Sequence, residues 1–455
     1  MTARSSDIAI VILAAGLGTR MRSRLPKVLH RIAGRPLVAH VLAAVEGLAP
    51  ARRIVVVSPA VEETVAAALP EVSVAVQDPP LGTGHAMMAA LPALEGFDGD
   101  VLMLFGDSPL VTPETLERLL AARRAPEDPA VVIAGFRPED PTGYGRLLLE
   151  ADGALAGIVE HRDATEEQRR IDLCNSGFMA IDGAALSGLL ERLGNDNAKG
   201  EYYLTDIIAV ARADGRRCAQ VEVPVEETVG INNREQLAEA EALMQRRLRR
   251  RAMENGATLQ DPESVWFSHD TALGQDVVVG PQVFFGPGVR VEDEVEIHAF
   301  SHLEGCYVEA GARIGPYARL RPESEVGPGA RVGNFVEVKK ARIDEGAKVN
   351  HLAYIGDAHI GAGANVGAGT ITCNYDGFLK SRTVIGAGAF IGSNTALVAP
   401  VSVGAGAIVG AGSTVTRDVP ADALAVTRAE EKQIDGFAPG YRKKKQAEKA
   451  AKAKS

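Results

Sequence analysis

The sequence has few aromatic residues, few cysteines and no long apolar run, and each shortage excludes a class of protein. Of the 455 residues, 5% are aromatic and one is tryptophan. The early apolar run over residues 8–15 is too short to span a membrane, and no secretory cleavage pattern follows it. The four cysteines show no C-x-x-C spacing and are too sparse for a disulfide framework or a zinc cage. We therefore expect a cytoplasmic protein without a membrane partner.

Basic residues do not dominate the composition. The chain carries 49 Lys and Arg against 59 Asp and Glu, a formal net charge of -10. A nucleic-acid partner is therefore not expected. Positive charge concentrates instead in residues 442–455, which hold seven Lys or Arg and one Glu. This Ala/Lys composition predicts that residues 431–455 form a solvated, disordered tail rather than a binding arm.

Acidic residues are absent from residues 8–45, and lysine is scarce in most of the chain. The acid-free stretch carries several cations: Arg20, Arg22, Arg24, Lys27, Arg31 and Arg35. Between Met1 and Val338 the only lysines are Lys27 and Lys199. Gly16 and Gly18 follow an apolar strand, where they let the backbone approach an anion and expose its N–H groups. We predict a polyphosphate site with Lys27 on phosphate; a lysine without a role is the alternative.

Two other phosphate-binding motifs fit this loop less well. A dinucleotide-binding loop needs a third glycine, where this chain has Met21, and an acidic residue about 20 positions further on to hold a ribose. The acidic residue is also missing. The spacing excludes a P-loop.

The first half of the chain alternates short apolar strands with helical segments. Runs rich in β-branched residues occur at 8–13, 54–57, 101–105 and 131–134. This alternation predicts a Rossmann-like α/β domain over residues 1–231, with a mostly parallel sheet and helices on both faces. Ligands of such sheets bind beyond the carboxyl ends of the strands. An apolar stripe at helical spacing then predicts a linker helix over residues 232–253.

Beyond residue 253 the apolar residues follow a period of six. One unbroken series is Val308, Ile314, Leu320, Val326, Val332 and Val338, and a second is Ile385, Ile391, Leu397, Val403, Val409 and Val415. Half of the glycines, 24 of 48, lie between Gly274 and Gly412. A hexapeptide repeat is typical of a parallel β-helix, with three hexads in each triangular coil of 18 residues. Similarity to known hexapeptide proteins implies a left-handed β-helix over 254–430, interrupted by a loop at 373–382.

Ordered motifs in the first half resemble the sugar-1-phosphate nucleotidyltransferases. They are L-A-A-G-x-G-T-R-M with P-K-V-L-H, L-G-T-G-H-A, F-G-D-S-P-L, T-G-Y-G-R, I-V-E-H, N-S-G and N-N-R. Together with the hexapeptide half, nearly the whole chain resembles the bifunctional N-acetylglucosamine-1-phosphate uridyltransferase/glucosamine-1-phosphate acetyltransferase family. The resemblance implies two reactions: acetyl-CoA acetylates glucosamine-1-phosphate, and UTP then uridylylates the product with release of pyrophosphate. It also implies a homotrimer.

For uridylyl transfer, the resemblance implies a set of residues that bind UTP and the UDP-sugar. They are Leu13, Ala14, Ala15, Gly16, Lys27, Gln77, Gly82, Thr83, Phe105, Gly106, Asp107, Gly143, Glu160, Asn175 and Asn233. Asp107 and Asn233 would hold Mg²⁺, a hard cation that prefers oxygen ligands. A turn at Asp107 and a helix cap at Asn233 are the structural alternatives. Phe105 replaces an expected tyrosine, so any hydroxyl contact there is lost or replaced, whereas the main-chain contribution should survive.

For acetyl transfer, His351 is the candidate base, because acyl transfer to an amine requires the ammonium group to lose a proton. Arg321 and Lys339 are 18 positions apart, so stacked coils would bring both cations to one anion. The resemblance implies an amino-sugar-phosphate site formed by Arg321, Lys339, Tyr354, Asn365 and Lys380. It implies an acetyl-CoA site formed by Ala368, Asn374, Tyr375, Ser393, Ala411 and Arg428.

Two other functions are compatible with this pairing of domains. One is a nucleotidyltransferase whose β-helix only regulates or trimerises, as in ADP-glucose pyrophosphorylase-like proteins; the cluster around His351 speaks against it. The other is a non-catalytic scaffold similar to exchange-factor subunits of translation initiation. Such scaffolds are expected to lack Lys27 and Asp107.

Overall fold

The computed structural model describes residues 7–16, 18–197 and 200–453. Its contacts divide the chain into two compact units. The first consists of Met1–Arg251 with Phe267–His269, and the second of Ala252–Trp266 with Asp270–Ser455. The two units differ in secondary structure, as the change of period in the sequence predicts, and each carries its own candidate site.

The first unit is built on a nine-stranded sheet. Its strands in chain order are β1 Ile8–Leu13, β2 Arg52–Val57, β3 Ser73–Val76, β4 Asp100–Phe105, β5 Val131–Phe136, β6 Arg146–Leu149, β7 Leu155–Val159, β8 Cys174–Asp182 and β9 Cys218–Glu222. The main path runs β9-β5-β8-β4-β1-β2-β3, and only β8 is antiparallel to its neighbours on that path. The hairpin of β6 and β7 joins the sheet through β8. The predicted mostly parallel α/β sheet is confirmed.

Helices cover both faces of this sheet. They are α1 Leu37–Val45, α2 Glu62–Ala68, α3 Thr83–Ala90, α4 Pro113–Arg123, α5 Glu166–Arg169, α6 Gly183–Leu190, α7 Ile207–Ala213 and α8 Arg234–Glu254. Alternate residues of β1 point to opposite faces, so Ile10 belongs to the core with α1 and α4, and Val11 to the core with α3, α6 and α7. The two apolar cores, one on each face of the sheet, therefore hold the strand ends and the following loops in fixed positions.

The second unit is a parallel β-helix with three faces. The first face consists of Thr258–Leu259, Val278–Val279, Glu296–Ile297, Arg313–Ile314, Arg331–Asn334, Lys348–His351, Asn365–Val366, Phe390–Ile391, Ile408–Val409 and Leu424–Ala425. The second consists of Ala272–Leu273, Arg290–Val291, Cys306–Val308, Ser324–Val326, Thr383–Ile385 and Val401–Val403. The third consists of Phe284–Phe285, His302–Leu303, Arg319–Leu320, Ile371–Cys373, Ala396–Val398 and Thr414–Val415. Glu337–Ile343 and Tyr354–Ile360 turn from the third face into the second.

The hexad residues fill the interior of this helix, so the predicted left-handed β-helix is confirmed. All twelve residues of the two predicted series are at most 2% exposed. The coil length departs from the predicted 18 residues, since Val338 pairs with Ile355 only 17 positions later. The shorter coil takes five residues from Val338 to Ile343, and Lys340 in between adopts a left-handed φ of 51° that tightens the corner.

The predicted basic tail contains a helix without tertiary packing, and its disorder stays a prediction. Residues Phe437–Lys452 form helix α9, in which no residue is buried. The Ala, Lys and Glu content favours a helix without tertiary packing, and the Lys445–Glu448 ion pair adds a little support. Within the described residues, none of the helices has the length and apolar character needed to cross a membrane.

Candidate active sites

The loop after β1 packs against Lys27, the predicted phosphate contact. Gly18 has a left-handed φ of 60°, and a Cβ atom on it would lie 2.7 Å from the Cβ atom of Lys27. Glycine is therefore required for the loop to lie against Lys27, whose 3₁₀ turn Lys27–Leu29 follows. Leu17 lies outside the described residues. The two glycines of the loop thus have different environments, because a Cβ atom on Gly16 would meet nothing within 4 Å.

Lys27, Asp107 and Asn232 form a polar cluster beyond the carboxyl ends of β1 and β4. The Nζ atom of Lys27 forms a salt bridge with the Oδ2 atom of Asp107 and lies 3.3 Å from the Oδ1 atom of Asn232. The side chains of Lys27 and Asp107 are 11% and 19% exposed. The backbone N–H of Ile231 donates to the Asp107 carbonyl at 2.9 Å, which holds the Asn232 loop beside the carboxylate.

Asn233, the predicted second metal ligand, caps helix α8. Its Oδ1 atom accepts a hydrogen bond from the backbone N–H of Gln236 at 2.8 Å. This is the capping contact that the sequence offered as its alternative role. An amide oxygen has two lone pairs, so a cap and a cation can share it. The metal role of Asn233 stays a prediction.

The predicted nucleoside-binding residues lie at the carboxyl end of β3 and the start of α3. Gln77 is 4% exposed, and its Nε2 atom donates to the Gly82 carbonyl at 2.9 Å. Gly82 has a φ of 98°, and a Cβ atom there would lie 2.6 Å from the Tyr202 carbonyl oxygen. The Oγ1 atom of Thr83 accepts from the backbone N–H of Leu204 at 3.1 Å. The chain after Gly200 therefore forms one wall of this part of the site.

The predicted sugar-binding residues lie on the β6–β7 hairpin and at the start of β8. The backbone N–H of Asn175 donates to the Gly145 carbonyl at 2.9 Å, two residues after Gly143. The Oδ1 atom of Asn175 accepts from Gly177 at 2.8 Å. Glu160 borders Gly145, because a Cβ atom there would lie 3.4 Å from the Glu160 Oε1 atom.

One cavity of about 820 Å³ connects these groups. The predicted residues that line it are Leu13, Ala14, Ala15, Gly16, Lys27, Gln77, Gly82, Thr83, Phe105, Asp107, Gly143, Glu160 and Asn175. Gly106 and Asn233 are not among the lining residues. Gly106 packs inward, because a Cβ atom there would lie 3.2 Å from the Val28 side chain. The volume suits a nucleotide with a sugar phosphate, since small-molecule sites commonly enclose about 300–1,000 Å³.

In the second unit, one corner of the β-helix aligns His351 with four of the predicted acetyl-CoA residues. Backbone hydrogen bonds follow this corner from coil to coil, joining Gly369 N to His351 O (3.4 Å), Asn394 N to Ala368 O (2.7 Å) and Gly412 N to Ser393 O (2.8 Å). The Arg428 guanidinium donates to the Ala411 carbonyl at 2.8 Å. The ladder His351, Ala368, Ser393, Ala411 and Arg428 is therefore continuous.

The His351 ring has a side-chain partner one coil earlier. Its Nδ1 atom lies 2.6 Å from the Oδ1 atom of Asn334, with which His351 is in register. An amide oxygen only accepts hydrogen bonds, so the proton of the neutral ring is on Nδ1. The lone pair is then on Nε2, as a general base requires. Asn334 was not among the predicted site residues; the pairing depends on the 17-residue coil.

Three cations gather on the third face, as the spacing of the first two predicts. Arg321 and Lys339 are neighbours in the ladder, since the backbone N–H of Arg321 donates to the Val338 carbonyl. The nearby Lys380 ammonium, and to a smaller extent Arg321, lowers the pKa of Lys339. The Arg321 guanidinium also donates to Glu337 at 2.8 Å. Lys380 reaches this cluster from the loop that interrupts the coils between Cys373 and Thr383.

The remaining predicted residues of the second unit differ in location and burial. Asn374 is buried, and its Nδ2 atom donates to Asp357 at 2.5 Å and lies 3.5 Å from the Tyr354 hydroxyl. Tyr375 is 59% exposed on the loop and bridges to Lys380 through the backbone. Asn365 lies on the first face, in register with Lys348. Asp357, like Asn334, was not predicted, although its position three residues after Tyr354 offered a signal.

Both halves match known proteins. Residues 10–171 match the MobA-like NTP transferase domain, and residues 382–417 match the bacterial transferase hexapeptide (six repeats). The chain is 60% identical to the bifunctional protein GlmU of Paramagnetospirillum magneticum over 98% of this chain and 99% of that protein. Identity to the bifunctional protein GlmU is 61% in Rhodospirillum rubrum, over 95% and 97% of the two chains, and 50% in Zymomonas mobilis, over 98% and 99%.

The chain belongs to the GlmU family. Membership confirms the predicted function: the chain is a bifunctional enzyme that acetylates glucosamine-1-phosphate and uridylylates N-acetylglucosamine-1-phosphate. Its substrates are a nucleotide, sugar phosphates and acetyl-CoA, and the GlmU family implies a divalent metal. A purely regulatory β-helix and a non-catalytic scaffold are thereby excluded.

Several residues that line the cavity of the first unit were not predicted from the sequence. Glu201, Tyr203, Leu204 and Thr205 form one wall, and His161, Arg162 and Asp163 form another. The first group has no strand or helix period, so its position depends on tertiary contacts such as Leu204 to Thr83. Two adjacent tyrosines, Tyr202 and Tyr203, in a chain with eight were the available signal.

Phe105, the departure from the expected tyrosine, packs against glycine. A Cβ atom on Gly177 would overlap the Phe105 ring, and Gly177 has a left-handed φ of 88°. The ring also lies 6.5 Å from the Phe178 ring, centroid to centroid. Phe105 therefore supplies shape and apolar contact to this GlmU cavity but no hydroxyl group.

Proposed function

We propose that the 820 Å³ cavity of the first unit is the uridylyl-transfer site and that the corner at His351 in the second unit is the acetyl-transfer site. The observation that carries the first assignment is that Lys27 and Asp107, which form a salt bridge, line one cavity with Gly143, Glu160 and Asn175. The cluster provides charge for phosphates, and the opposite wall provides hydrogen-bonding groups for a sugar.

In the uridylyl-transfer site, the sugar-1-phosphate oxygen attacks the α-phosphorus of UTP in line, and pyrophosphate leaves. The loop of Gly16 and Gly18 presents backbone N–H groups to the triphosphate, and Lys27 neutralises phosphate charge. Gln77, Gly82 and Thr83 hold the uridine, and Gly143, Glu160 and Asn175 hold the sugar. Positioning and charge neutralisation carry such a transfer, so no protein nucleophile is needed.

Asp107 and Asn233 hold the divalent cation, which we propose to be Mg²⁺. The donor set fits this ion: one carboxylate and one amide oxygen leave room for substrate phosphates and water, as Mg²⁺ prefers. In the described part of the chain, no group of three or more His, Cys, Asp or Glu could form an all-protein metal cage. When bound, the ion neutralises negative charge on the triphosphate.

In the acetyl-transfer site, His351 takes the proton from the amino group of glucosamine-1-phosphate. The hydrogen bond to Asn334 keeps the proton on Nδ1 and leaves Nε2 to accept. The nitrogen of the sugar then attacks the thioester carbonyl of acetyl-CoA, the amide bond forms, and the CoA thiolate leaves. Arg321, Lys339 and Lys380 bind the sugar phosphate, with Tyr354 and Asn365 on the sugar.

Acetyl-CoA lies along the corner ladder that begins at His351. Ala368, Ser393 and Ala411 present small side chains there, so an extended ligand can approach the backbone. Arg428 at the end of the ladder provides a cation for a phosphate of CoA, and Asn374 and Tyr375 border the thioester. Along the ladder the small residues come first and the cation Arg428 comes last. This order matches a ligand that has its thioester at one end and its phosphates at the other.

The enzyme acts as a cytoplasmic homotrimer in this proposal. Four large apolar residues at left-handed positions stack along one corner of the β-helix: Phe300, Tyr317, Phe335 and Leu352. They are between 47% and 61% exposed, and the ring centroids of neighbouring aromatic residues are 4.8 and 5.1 Å apart. Bulky residues at positive φ are strained, and a partner subunit that buries them would compensate. This apolar corner directly adjoins the His351 ladder.

Two variants with separate effects test the assignment of residues. Lys27→Met should abolish most pyrophosphate release from UTP with N-acetylglucosamine-1-phosphate and leave acetyl transfer intact. His351→Gln should do the opposite, measured as free CoA thiol from acetyl-CoA with glucosamine-1-phosphate. Loss of both activities in either variant, or of neither, would contradict the proposal of one site in each unit. Absence of Mg²⁺ dependence in pyrophosphate release would contradict the metal assignment.

A further inference from the structure

Three of the proposed sugar-binding residues surround one buried arginine. Arg146 on β6 is 1% exposed, and it is in register with Val159 on β7 and Cys174 on β8. The residues that follow these two partners are Glu160 and Asn175, and Gly143 lies three positions before Arg146. Arg146 therefore lies at the point where three segments of the sugar wall meet.

The Arg146 guanidinium connects two of these segments through its hydrogen bonds. One terminal nitrogen, Nη1, donates to the Tyr144 carbonyl in the loop of Gly143. The other, Nη2, lies 3.4 Å from the Nδ1 atom of His161, which follows Glu160. His161 itself lines the cavity. The arginine thus joins the loop before β6 to the residue that adjoins Glu160.

This contact decides which nitrogen of His161 carries a proton. A guanidinium group has only donors, so the Nδ1 atom of His161 must accept. The proton of the ring is then on Nε2. A histidine on the cavity wall with a fixed tautomer offers one N–H donor in a constant direction, because the arginine holds the ring from behind.

We propose that His161 is a further sugar-binding residue, whose Nε2–H donates to an oxygen atom of the bound N-acetylglucosamine-1-phosphate, and that Arg146 is the residue that positions it. The inference rests on the proposed sugar site. A buried arginine with a merely structural role would not require a histidine acceptor on the cavity wall. The proposal therefore predicts that the two residues act on the same substrate and through the same contact.

The test measures KM for each substrate of uridylyl transfer in His161 variants of the full chain. His161→Phe keeps a ring but loses both the acceptor and the donor, and it should raise KM for N-acetylglucosamine-1-phosphate by about tenfold, roughly the effect of one lost hydrogen bond. KM for UTP should stay within about twofold. His161→Gln can accept from Arg146 through its oxygen and donate through its nitrogen, so it should restore most of the affinity for the sugar phosphate.

An Arg146→Met variant tests the positioning role. It should raise the same KM, and the double variant Arg146→Met/His161→Phe should be no worse than the poorer single variant, because both remove one contact. KM for UTP, which the same unit binds, checks that the first unit is folded. If Arg146→Met does not accumulate as folded protein, the comparison of His161→Phe with His161→Gln decides alone.

Three results would overturn the inference: an unchanged KM for the sugar phosphate in His161→Phe, an equal rise of both KM values, or no rescue by His161→Gln. The failure of the proposed function is distinguishable from these. In that case the unaltered protein itself would release no pyrophosphate from UTP and N-acetylglucosamine-1-phosphate.

Discussion

The Nδ1 atom of His351 lies 2.6 Å from the Oδ1 atom of Asn334, its neighbour in the preceding coil. Because the amide oxygen only accepts, this contact selects the tautomer of the candidate base. The two residues meet because the coil between them has 17 residues rather than the 18 of three full hexads. The geometry of the corner therefore determines the protonation pattern of the ring.

Replacement of Asn334 should weaken acetyl transfer less than loss of the base. His351→Gln should lower kcat for acetyl transfer by about 10²–10⁴-fold, the usual contribution of a general base. Asn334→Ala removes the contact that keeps the proton on Nδ1 of His351. It should lower kcat by about tenfold, which is the lower limit of the usual effect when a residue that orients another is removed. Asn334→Asp keeps the acceptor and should retain most activity, while its carboxylate shifts the acid limb of the pH profile to higher pH. An Asn334→Ala enzyme with unaltered kcat would contradict the role.

Gly18→Ala should disable uridylyl transfer through two effects. The position has a φ of 60°, and the added Cβ atom would lie 2.7 Å from Lys27, so Lys27 must move. We expect kcat/KM for UTP to fall by at least tenfold, since small displacements of charged groups have large effects on such transfers. Gly153→Ala is the matched control, because Gly153 also has a positive φ of 82° but nothing within 4 Å of its Cβ position. Equal losses in both variants would assign the effect to backbone strain alone.

The buried ion cluster around Arg123 should contribute strongly to stability. The Arg123 side chain is 2% exposed and lies 3.5 Å from Asp182 and 3.4 Å from Asp100 at the end of the sheet opposite the cavity. Arg123→Met removes the buried cation, although Asp100 keeps Arg124 and Asp182 keeps Arg216 as partners. It should lower the free energy of unfolding by about 1.5–3 kcal/mol, the usual effect of a lost hydrogen bond to a charged group. The exposed pair Arg192–Asp214 is the control, and Arg192→Met should change the free energy by less than about 1 kcal/mol. Urea denaturation measures both.

His40 should make the first unit less stable in acid. Burial is the main reason that its pKa is lowered to about 4, and Arg35 adds to the shift. In the unfolded chain the histidine has an ordinary pKa of about 6.5. Between about pH 4 and pH 6.5 the unfolded chain therefore binds a proton at this residue that the folded chain does not bind. The contribution of neutral His40 to the free energy of unfolding is fully present above pH 6.5. It falls by about 3 kcal/mol as the pH falls towards 4. His40→Gln should therefore lose less stability than the unaltered protein between pH 7 and pH 4, as measured by urea denaturation. Parallel losses would contradict this.

The apolar corner of Phe300, Tyr317, Phe335 and Leu352 should determine the oligomeric state. Tyr317→Ser with Phe335→Ser should convert the trimer to monomers in sedimentation experiments, because a polar corner no longer gains from burial. Uridylyl transfer should persist. Leu149→Ser, at an exposed apolar residue of the first unit, is the control and should leave the trimer intact. A trimer that survives the double substitution would place the interface elsewhere.

Local patterns of the sequence determined the two folds and most of the candidate residues. The period of six predicts which side chains enter the β-helix, since each hexad contributes one apolar residue to the interior. The apolar strand, two glycines and lysine of the first loop are likewise local, so Gly18, Lys27 and Asp107 could be named without coordinates. The 18-position spacing of Arg321 and Lys339 was sufficient to predict their shared face.

Tertiary structure decided the partners. That Asn334 holds His351, that Asn232 contacts Lys27 while Asn233 caps a helix, and that Arg146 holds His161 all depend on strand register and corner geometry. A coil one residue shorter, or a hairpin shifted by one position, changes such contacts without changing any motif. The sequence by itself thus determined which chemistry the chain carries, whereas the packed structure decided which side chains orient it, because hydrogen bonds respond to displacements smaller than one residue.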